Sequence, residues 1–254
     1  WDWHSEYLQE NKIGYGLKGL YVRNVLHQTR IWDKAASYRT DRWIANSQNV
    51  ADRITKYYGF TSKIIYPPVD IEKIEINKNI PDDYYVIVSR LEPYKSIRLA
   101  IETFNLNKKP LVIIGTGSEL EELKKIAQAN IEFLGWQSDN SVIEYVKNAK
   151  ALIFPGEDDF GIVPVEAMAC GTPVIAYKKG GVAETVIENK TGLFFGKQTL
   201  DSLLRVVDEF EEKYLNFSSE NCRKRAESFS KEKFIKEFDK FLNEQYESYI
   251  KDIL

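Results

Sequence analysis

Short apolar runs alternate with amphipathic helical stretches from about residue 84 onward. Near-continuous hydrophobicity is typical of strands buried on both faces, and helical spacers between such strands indicate parallel crossovers. The pattern therefore predicts an α/β fold with a Rossmann-like, doubly wound parallel sheet. The predicted strands are Tyr85–Ser89, Leu111–Ile114, Ile131–Leu134, Ala151–Phe154, Val174–Ala176 and Gly192–Phe195.

The chain before residue 76 has a different pattern. Helical periodicity runs from Leu17 to Tyr38, and we expect its apolar stripe, Leu17 to Trp32, to pack in a core; contact of this stripe with a membrane stays open. A double proline, Pro67-Pro68, and the polar run to Asn79 predict an interdomain hinge. The other predicted elements are a strand at Arg42–Asn46, a helix from about Gln48 to Tyr58 and a strand at Lys63–Tyr66.

The end of the chain carries a single helical stripe of apolar side chains from Phe234 to Ile253. Ser230 is a favourable N-cap, and Glu232 lies in the first turn, where a negative charge suits the helix dipole. We therefore predict a long C-terminal helix over residues 230–254.

Composition excludes several classes of function. With 43% hydrophobic residues in 254, the chain can bury a sizeable core, and 35 basic against 38 acidic residues give no general field for nucleic acid. Cys170 and Cys222 form no disulfide framework, which suits the cytoplasm. No apolar run reaches the roughly 18 residues of a membrane span. His4 and His27 are the only histidines, which argues against a hydrolytic triad or a zinc site, so we predict no metal.

The most informative segment is the acidic loop from Glu157 to Glu166. Phe160 and Gly161 form its bend, and Pro164 with Gly171 mark the start and end of a short helix. The backbone N–H groups of Gly161, Ile162 and Val163 would then face a ligand at the carboxyl end of the preceding strand, as in phosphate sites. Asp158 and Glu166 lie eight residues apart, and Glu166 is placed to accept hydrogen bonds from ribose hydroxyls. A solvated acidic loop is the alternative.

Loops after the other strands add cations and glycines. Arg90 and Lys95 follow the first strand of the sheet, where they would neutralise a diphosphate or form an ordinary charged loop. Gly115 and Gly117 flank a turn that suits either a close ligand or tight packing. After Gly180-Gly181, Glu184 either contacts a sugar or, as we expect, caps the following helix.

Together these strings resemble the C-terminal, donor-binding half of the family 4 retaining glycosyltransferases, which have the GT-B fold. The resemblance covers about residues 30 to 235 and is closest to mannosyltransferase-like members. It rests on the segments Arg90 to Lys95, Gly115 to Gly117, Ile131 to Gly135, Phe154 to Pro173 and Gly180-Gly181, with Ile31, Ile44 and Pro67 opening further matching strings.

The resemblance implies transfer of a hexose, mannose or glucose, from a GDP- or UDP-linked sugar to a glycan or lipid-linked acceptor, without a metal or other cofactor. Arg90 and Lys95 would bind the diphosphate, Glu166 the ribose, and residues 158–163 the sugar and phosphates. The first acid of the family's motif is glutamate, whereas this chain has Asp158. One methylene less moves the carboxylate by about 1.5 Å, so either Glu157 substitutes for it or the sugar contact differs.

The resemblance also implies a domain organisation. Residues 1–75 would be the last portion and hinge of the acceptor-side domain, residues 76–229 the donor domain, and residues 230–254 a helix that crosses back to the first domain. We expect a further N-terminal segment or subunit, and poor transfer by this chain alone. The location expected is cytoplasmic, with peripheral contact at the inner membrane face left open.

Two other functions compete with this one. A non-catalytic or partner-dependent nucleotide-sugar-binding module fits the short first domain and Asp158. An NAD-dependent oxidoreductase fits poorly, because Leu120 stands where the dinucleotide fingerprint needs its third glycine.

Overall fold

The structure is a computed structural model that describes residues 16–77 and 81–253. Of these residues, those up to Ala45 together with Ala51–Lys63 form one compact unit. Asn46–Val50 and the described residues from Ile64 onward form the other. The helices are α1 (Gly16–Ser37), α2 (Gln48–Tyr58), α3 (Ile97–Asn107), α4 (Leu120–Ile126), α5 (Asp139–Asn148), α6 (Ile162–Cys170), α7 (Val182–Thr185), α8 (Leu200–Lys213), α9 (Ser219–Ala226) and α10 (Lys231–Ile253). The strands are β1 (Ile44–Ala45), β2 (Lys63–Ile64), β3 (Tyr85–Val88), β4 (Leu111–Ile114), β5 (Ile131–Gly135), β6 (Ala151–Phe154), β7 (Val174–Tyr177) and β8 (Gly192–Phe195).

The larger unit is built on a six-stranded parallel sheet in the order β5-β4-β3-β6-β7-β8. This is the doubly wound order, in which the chain reverses its direction of winding between the first strand, β3, and the fourth, β6. The predicted α/β fold is confirmed, and each predicted strand of this sheet matches the observed one to within one residue. The carboxyl ends of β3 and β6 lie at the reversal point, where doubly wound sheets bind their ligands.

Alternate residues of each strand enter two separate cores, as a strand buried on both faces requires. Val86 contributes to the core beneath α5, α6, α7 and α9. Its neighbour Ile87 contributes to the core beneath α3, α4 and α8. Both side chains are fully buried, so the continuous apolar run at β3 serves both layers of helices.

The segment after the double proline packs on this unit. Val69, Ile71 and Ile74 are buried in the same core as Val86, and Val69 donates its N–H to Phe229 O at 3.0 Å. Three apolar side chains in a largely polar run hold residues 69–74 in place. The segment for which the sequence predicts a hinge is thus a packed part of the larger unit.

The smaller unit contains a cluster of aromatic rings. Trp43 stacks between Tyr58 and Phe60, with ring centroids 5.2 and 5.7 Å away. Lys34 of α1 donates to the carbonyls of Tyr57 and Tyr58, the last residues of α2, as a cation at a helix C-terminus does.

The apolar stripe of α1 differs from its prediction. Leu17, Leu20, Tyr21 and Trp32 are exposed rather than packed in a core. The predicted strands at Arg42–Asn46 and Lys63–Tyr66 are also shorter than expected, since β1 and β2 each have two residues. Among the described helices, none is both long and apolar enough to cross a bilayer.

The C-terminal helix α10 begins where the sequence predicts. Lys233 donates its N–H to Ser230 Oγ at 3.3 Å, so Ser230 acts as the predicted N-cap. The crossing of this helix to the first domain stays a prediction.

Candidate functional site

The loop after β3 carries the two predicted cations and is held by the loop after β4. Leu91, fully buried, donates its N–H to Thr116 O at 3.0 Å and accepts from Glu119 N at the same distance. Glu92 accepts from the N–H and the hydroxyl of Ser118 at 3.1 and 2.7 Å. These two hydrogen bonds lower the pKa of Glu92. Arg90 is exposed on the same loop.

The glycine turn after β4 is explained by this contact between loops. A Cβ on Gly115 would lie 1.9 Å from Ser89 O, and one on Gly117 would lie 2.3 Å from Leu91 O. Gly115 also has φ of 132°. The sequence left open whether a close ligand or tight packing requires these glycines. Tight packing within the chain is by itself sufficient to require both.

Lys95 connects the loops after β3 and β6 at the reversal point of the sheet. Its Nζ lies 2.5 and 2.6 Å from the two carboxylate oxygens of Asp158. Both side chains are mostly buried, at 16% and 26% exposure. A Cβ on Gly156 would lie 2.9 Å from the Cα of Lys95, so glycine is needed where these loops touch. Ser96, which immediately precedes α3, has φ of 54° and makes no side-chain cap; its hydroxyl instead accepts from Gln198 Nε2 at 2.9 Å.

The acidic loop bends as predicted. Phe160 is buried against Tyr66 and Phe229, with ring centroids 5.9 and 5.6 Å away. Gly161 has φ of 84° and immediately precedes α6, so the N–H groups of Gly161, Ile162 and Val163 lie in the bend and first turn, before the helical hydrogen-bond ladder begins. The helix ends at Gly171, whose φ of 90° marks the predicted stop.

Glu166 lies one turn into α6 and is partly buried. Burial raises the pKa of its carboxyl, and the charge of Asp139, at the start of α5, raises it further. A carboxylate held in these surroundings gains from a ligand that donates hydrogen bonds to it.

The loop after β7 also contacts the acidic loop. Gly181 donates its N–H to Asp158 O at 2.8 Å, and a Cβ on Gly180 would lie 2.3 Å from that oxygen. A Cβ on Gly181 would lie 2.3 Å from the Cα of Phe160. Beside this contact, Glu157 forms an ion pair with Lys179 at 2.8 Å. Side chains on either glycine would therefore displace the acidic loop.

Glu184 has a role that the sequence did not suggest. It lies within α7, where its carboxylate accepts from Gln48 N at 2.8 Å, Asn49 N at 3.1 Å and the Tyr66 hydroxyl at 3.1 Å. The expectation that it caps the following helix is wrong, because it caps the start of α2, 136 positions earlier. Sequence patterns reveal only local caps, so no signal pointed to this one.

The site therefore gathers Lys95, Asp158 and the start of α6 at one point, with Arg90 on the same edge and Glu166 one turn along the helix. No group of three or more histidine, cysteine, aspartate or glutamate side chains that could hold a metal occurs among residues 16–77 and 81–253. The arrangement offers cations, free N–H groups and a carboxylate, which suits a ligand that carries both phosphates and hydroxyls.

Known proteins resemble this chain in both sequence and fold. An uncharacterized glycosyltransferase of Methanocaldococcus jannaschii is 27% identical over 229 residues, which cover 87% of this chain and 64% of that protein. The alpha-1,3/1,6-mannosyltransferase of Saccharomyces cerevisiae is 28% identical over 203 residues, covering 58% of this chain and 40% of that protein. The chain thus spans less than two thirds of each relative.

Solved structures have the same architecture. Sucrose-phosphate synthase of Thermosynechococcus elongatus superposes with a TM-score of 0.78 at 20% identity, covering 87% of this chain and 62% of that one. The Anabaena protein HepE in complex with UDP and glucose gives 0.71 at 20% identity, covering 80% and 63%. The family model described as glycosyl transferases group 1 matches residues 69–243. The chain belongs to the group 1 glycosyl transferases.

Proposed function

We propose that the larger unit binds a nucleoside-diphosphate hexose and serves as the donor half of a retaining glycosyltransferase. The observation that carries this proposal is the meeting of Lys95 with Asp158 at the reversal point of the sheet, 2.5 Å apart and beside the start of α6. Cation, helix N-terminus and carboxylate are the groups that a sugar diphosphate needs.

In this proposal each group meets one part of the donor. Arg90, Lys95 and the N–H groups of Gly161 to Val163 bind the diphosphate, which carries most of the negative charge. Glu166 accepts from the ribose hydroxyls. These hydrogen bonds favour the ionised carboxyl and so offset the burial that raises its pKa.

Asp158 and Glu157 share the sugar end of the site. Lys95 neutralises Asp158, and Lys179 neutralises Glu157, so neither acid is left without a cation before the donor binds. When the diphosphate arrives, Lys95 can exchange part of its contact with Asp158 for contact with phosphate. The carboxylate of Asp158 then becomes available to a sugar hydroxyl.

The reaction proposed keeps the configuration of the anomeric carbon. The bond from the sugar to the diphosphate breaks, and the acceptor oxygen attacks from the same face. A departing phosphate oxygen takes the acceptor's proton. Lys95, Arg90 and the helix N–H groups stabilise the charge that develops on the leaving diphosphate, by electrostatic preorganisation.

The identities of the donor base, the sugar and the acceptor are more detailed proposals. The relatives include a mannosyltransferase, and HepE was solved with UDP and glucose, so a UDP- or GDP-linked glucose or mannose is the donor class we propose. The acceptor class is a glycan or a lipid-linked saccharide. Two buried free thiols, Cys170 and Cys222, support a cytoplasmic location.

Thermal unfolding with UDP-glucose, GDP-mannose and ADP-glucose at about 1 mM tests the proposal. A ligand present at about 10 to 100 times its Kd adds about 1.4–2.7 kcal/mol, so we expect one of them to raise Tm by about 3–10 °C. Glu166→Ala should remove most of this shift. Glu102→Ala, an exposed acid on α3, is the matched control and should keep it.

The same samples separate an enzyme from a binding module. Release of free nucleotide, measured with and without acceptor saccharides, reports transfer and hydrolysis. No rise in Tm with any of the three donors would contradict the proposal. A rise in Tm without any turnover would instead favour the non-catalytic or partner-dependent nucleotide-sugar-binding module.

A further inference from the structure

Gln198 lies in the short loop between β8 and α8, and its side-chain amide joins two other loops of the large sheet. The amide nitrogen Nε2 donates to Ser96 Oγ and to the carbonyl oxygen of Pro155, each at 2.9 Å. A glutamine amide nitrogen carries two hydrogens, so both donors are used within the chain, although the side chain is exposed. One side chain thus connects the loops that follow β8, β3 and β6.

Helix packing brings these loops together. In the sheet, β8 is separated from β3 by two strands, β6 and β7, so the sheet itself does not place their loops side by side. The helices that follow β3 and β8, however, pack on the same face, where Ile97 of α3 and Leu203 of α8 are buried in one core. The starts of α3 and α8 are therefore neighbours, and Gln198 extends from one toward the other.

The two acceptors of this amide adjoin the ion pair of the candidate site. Ser96 directly follows Lys95 in the chain. Pro155 directly precedes Gly156, on which a Cβ would lie 2.9 Å from the Cα of Lys95. Asp158, the partner of Lys95 in the ion pair, follows in the same loop as Pro155. The amide is therefore bonded to the loop of the cation and to the loop of the acid.

The backbone at Ser96 shows that this turn has to be held. Its φ of 54° and ψ of 33° are left-handed, which costs free energy for a residue that has a Cβ. Such a conformation persists only where the surrounding structure holds it. The Ser96 hydroxyl does not cap α3, and its contact with Gln198 Nε2 comes from outside the loop. This contact is placed to hold the turn that directs Lys95 toward Asp158.

We propose that Gln198 is a positioning residue, which holds Lys95 in the place where it meets the diphosphate of the donor. The inference rests on the proposed function, which assigns the diphosphate to Lys95. A cation that is already held in place need not be ordered when the ligand binds, and that saving appears as affinity. Gln198 acts through Lys95 and does not itself contact the ligand.

Calorimetric titration of the chain with UDP and GDP tests the inference. Gln198→Met keeps the length of the side chain and removes both donors. We expect it to weaken UDP and GDP by about 3- to 10-fold, the loss expected when one long side chain must be ordered on binding. Its Tm should stay within about 2 °C of wild type, because Gln198 is exposed. Gln128→Met changes another exposed glutamine, before β5, and should bind both nucleotides like the wild type.

Double-mutant cycles separate positioning from a merely structural role. Lys95→Met should itself weaken UDP, and adding Gln198→Met should then cost nothing further, because the cation that Gln198 holds is gone. A loop that is only loosened, or a direct contact of Gln198 with phosphate, would instead give losses that add. In the second cycle, Ser96→Ala removes one of the two acceptors and should show part of the loss. Ser96→Ala combined with Gln198→Met should lose no more than Gln198→Met alone.

Each other outcome counts against a definite statement. Equal nucleotide affinity in the wild type and Gln198→Met would overturn the inference and leave the proposed function standing. Additive losses in either cycle would overturn it as well, and the cycle with Ser96→Ala decides if Lys95→Met does not fold. Wild-type affinity in a folded Lys95→Met would refute the assignment of Lys95 to the diphosphate. If the wild type bound neither UDP nor GDP, the proposed function would fail, and the inference with it.

Discussion

At the scale of single residues, the ribose-binding role that we propose for Glu166 conflicts with stability. Burial and the nearby Asp139 raise the pKa of its carboxyl, so the ionised form destabilises the folded protein. A group whose folded pKa is raised adds stability at low pH and loses it as pH rises through that pKa. At neutral pH, therefore, the unliganded protein carries a cost at this position that a bound ribose can offset.

Glu166→Gln should remove that cost because it keeps the shape of the side chain without the charge. We expect Tm of the unliganded variant to rise at pH 7 by about 2–4 °C, as for a gain of about 1 kcal/mol in a chain of this size. The difference from wild type should shrink as pH falls and Glu166 becomes protonated. Thermal scans between pH 4.5 and 8 measure both effects.

The same variant should bind nucleotide more weakly, since a neutral amide is a poorer acceptor for two hydroxyls. Glu102→Gln, on the opposite helical layer, should change neither Tm nor affinity by a comparable amount. A variant with unchanged Tm and unchanged nucleotide affinity would refute the assignment of Glu166.

The residues foreseen from the sequence differ in kind from those that were not. Lys95, Asp158 and Glu166 stand in ordered strings that a reader can recognise. Glu184 caps α2 through contacts that only the folded chain creates. A carboxylate and a helix that it caps 136 positions away share no local pattern, so sequence reasoning had no basis for pairing them.

At the scale of elements, helix α2 depends on a distant acid. Its first turn has no acidic residue of its own, and Ser47 Oγ accepts from Val50 N at 3.1 Å. Glu184 supplies the missing negative charge to the N–H groups of Gln48 and Asn49. Such a charge at a helix N-terminus stabilises it by up to about 2 kcal/mol when partly buried.

Glu184→Gln should therefore destabilise the protein by about 1–2 kcal/mol, the range for loss of a helix cap. It should also speed amide hydrogen exchange at residues 48–50, which measures the start of α2 directly. Glu188→Gln is the matched control, because Glu188 pairs with Lys178 on the surface, and exposed pairs contribute about 0–1 kcal/mol. Exchange at residues 48–50 that stays at the wild-type rate in Glu184→Gln would show that Ser47 alone is sufficient.

The prediction of elements succeeded where burial fixed the pattern and failed where it did not. Five of the six strands of the large sheet are largely buried, so each appears in the sequence as an unbroken apolar run, whereas β5 at the sheet edge carries the exposed Glu132. By contrast, β1 and β2 have two residues each. The longer strands predicted there rested on the strand propensity of their residues alone. Ser96 has the residue type of a cap, but it follows the turn at Pro93–Lys95 in a left-handed conformation and makes no side-chain cap.

At the scale of the whole molecule, the carboxyl and amino ends of the strands in the large sheet have separate roles. The carboxyl ends of the strands carry the candidate site, while the amino ends are tied to α8 through Glu211. Tyr85 donates its hydroxyl to Glu211 Oε1 at 2.6 Å, and Lys109 and Lys150 lie 3.0 Å from its carboxylate. These partners precede or begin β3, β4 and β6, so one carboxylate joins three strands to a helix.

Removal of Glu211 should therefore lower stability and leave nucleotide affinity unchanged. Glu211→Ala leaves the Tyr85 hydroxyl without its acceptor beneath a buried ring, and a lost hydrogen bond to a charged group costs about 1.5–3 kcal/mol. We expect Tm to fall by about 3–10 °C. The neighbouring exposed acid offers the control, Glu212→Ala, which should stay within about 1 °C of wild type.

The pH dependence of that loss identifies its cause. Burial by itself would raise the pKa of Glu211, but the hydrogen bonds from Tyr85, Lys150 and Lys109 outweigh it and lower the pKa. A lowered folded pKa gives stability above the unfolded value, about 4.3 for glutamate, that is lost as pH falls through the folded pKa. The gap in Tm between wild type and Glu211→Gln should thus be wide at pH 7 and narrow below about pH 4. A gap of constant width would mean that the charge of Glu211 does not hold α8 to the sheet, and that packing alone joins the two layers.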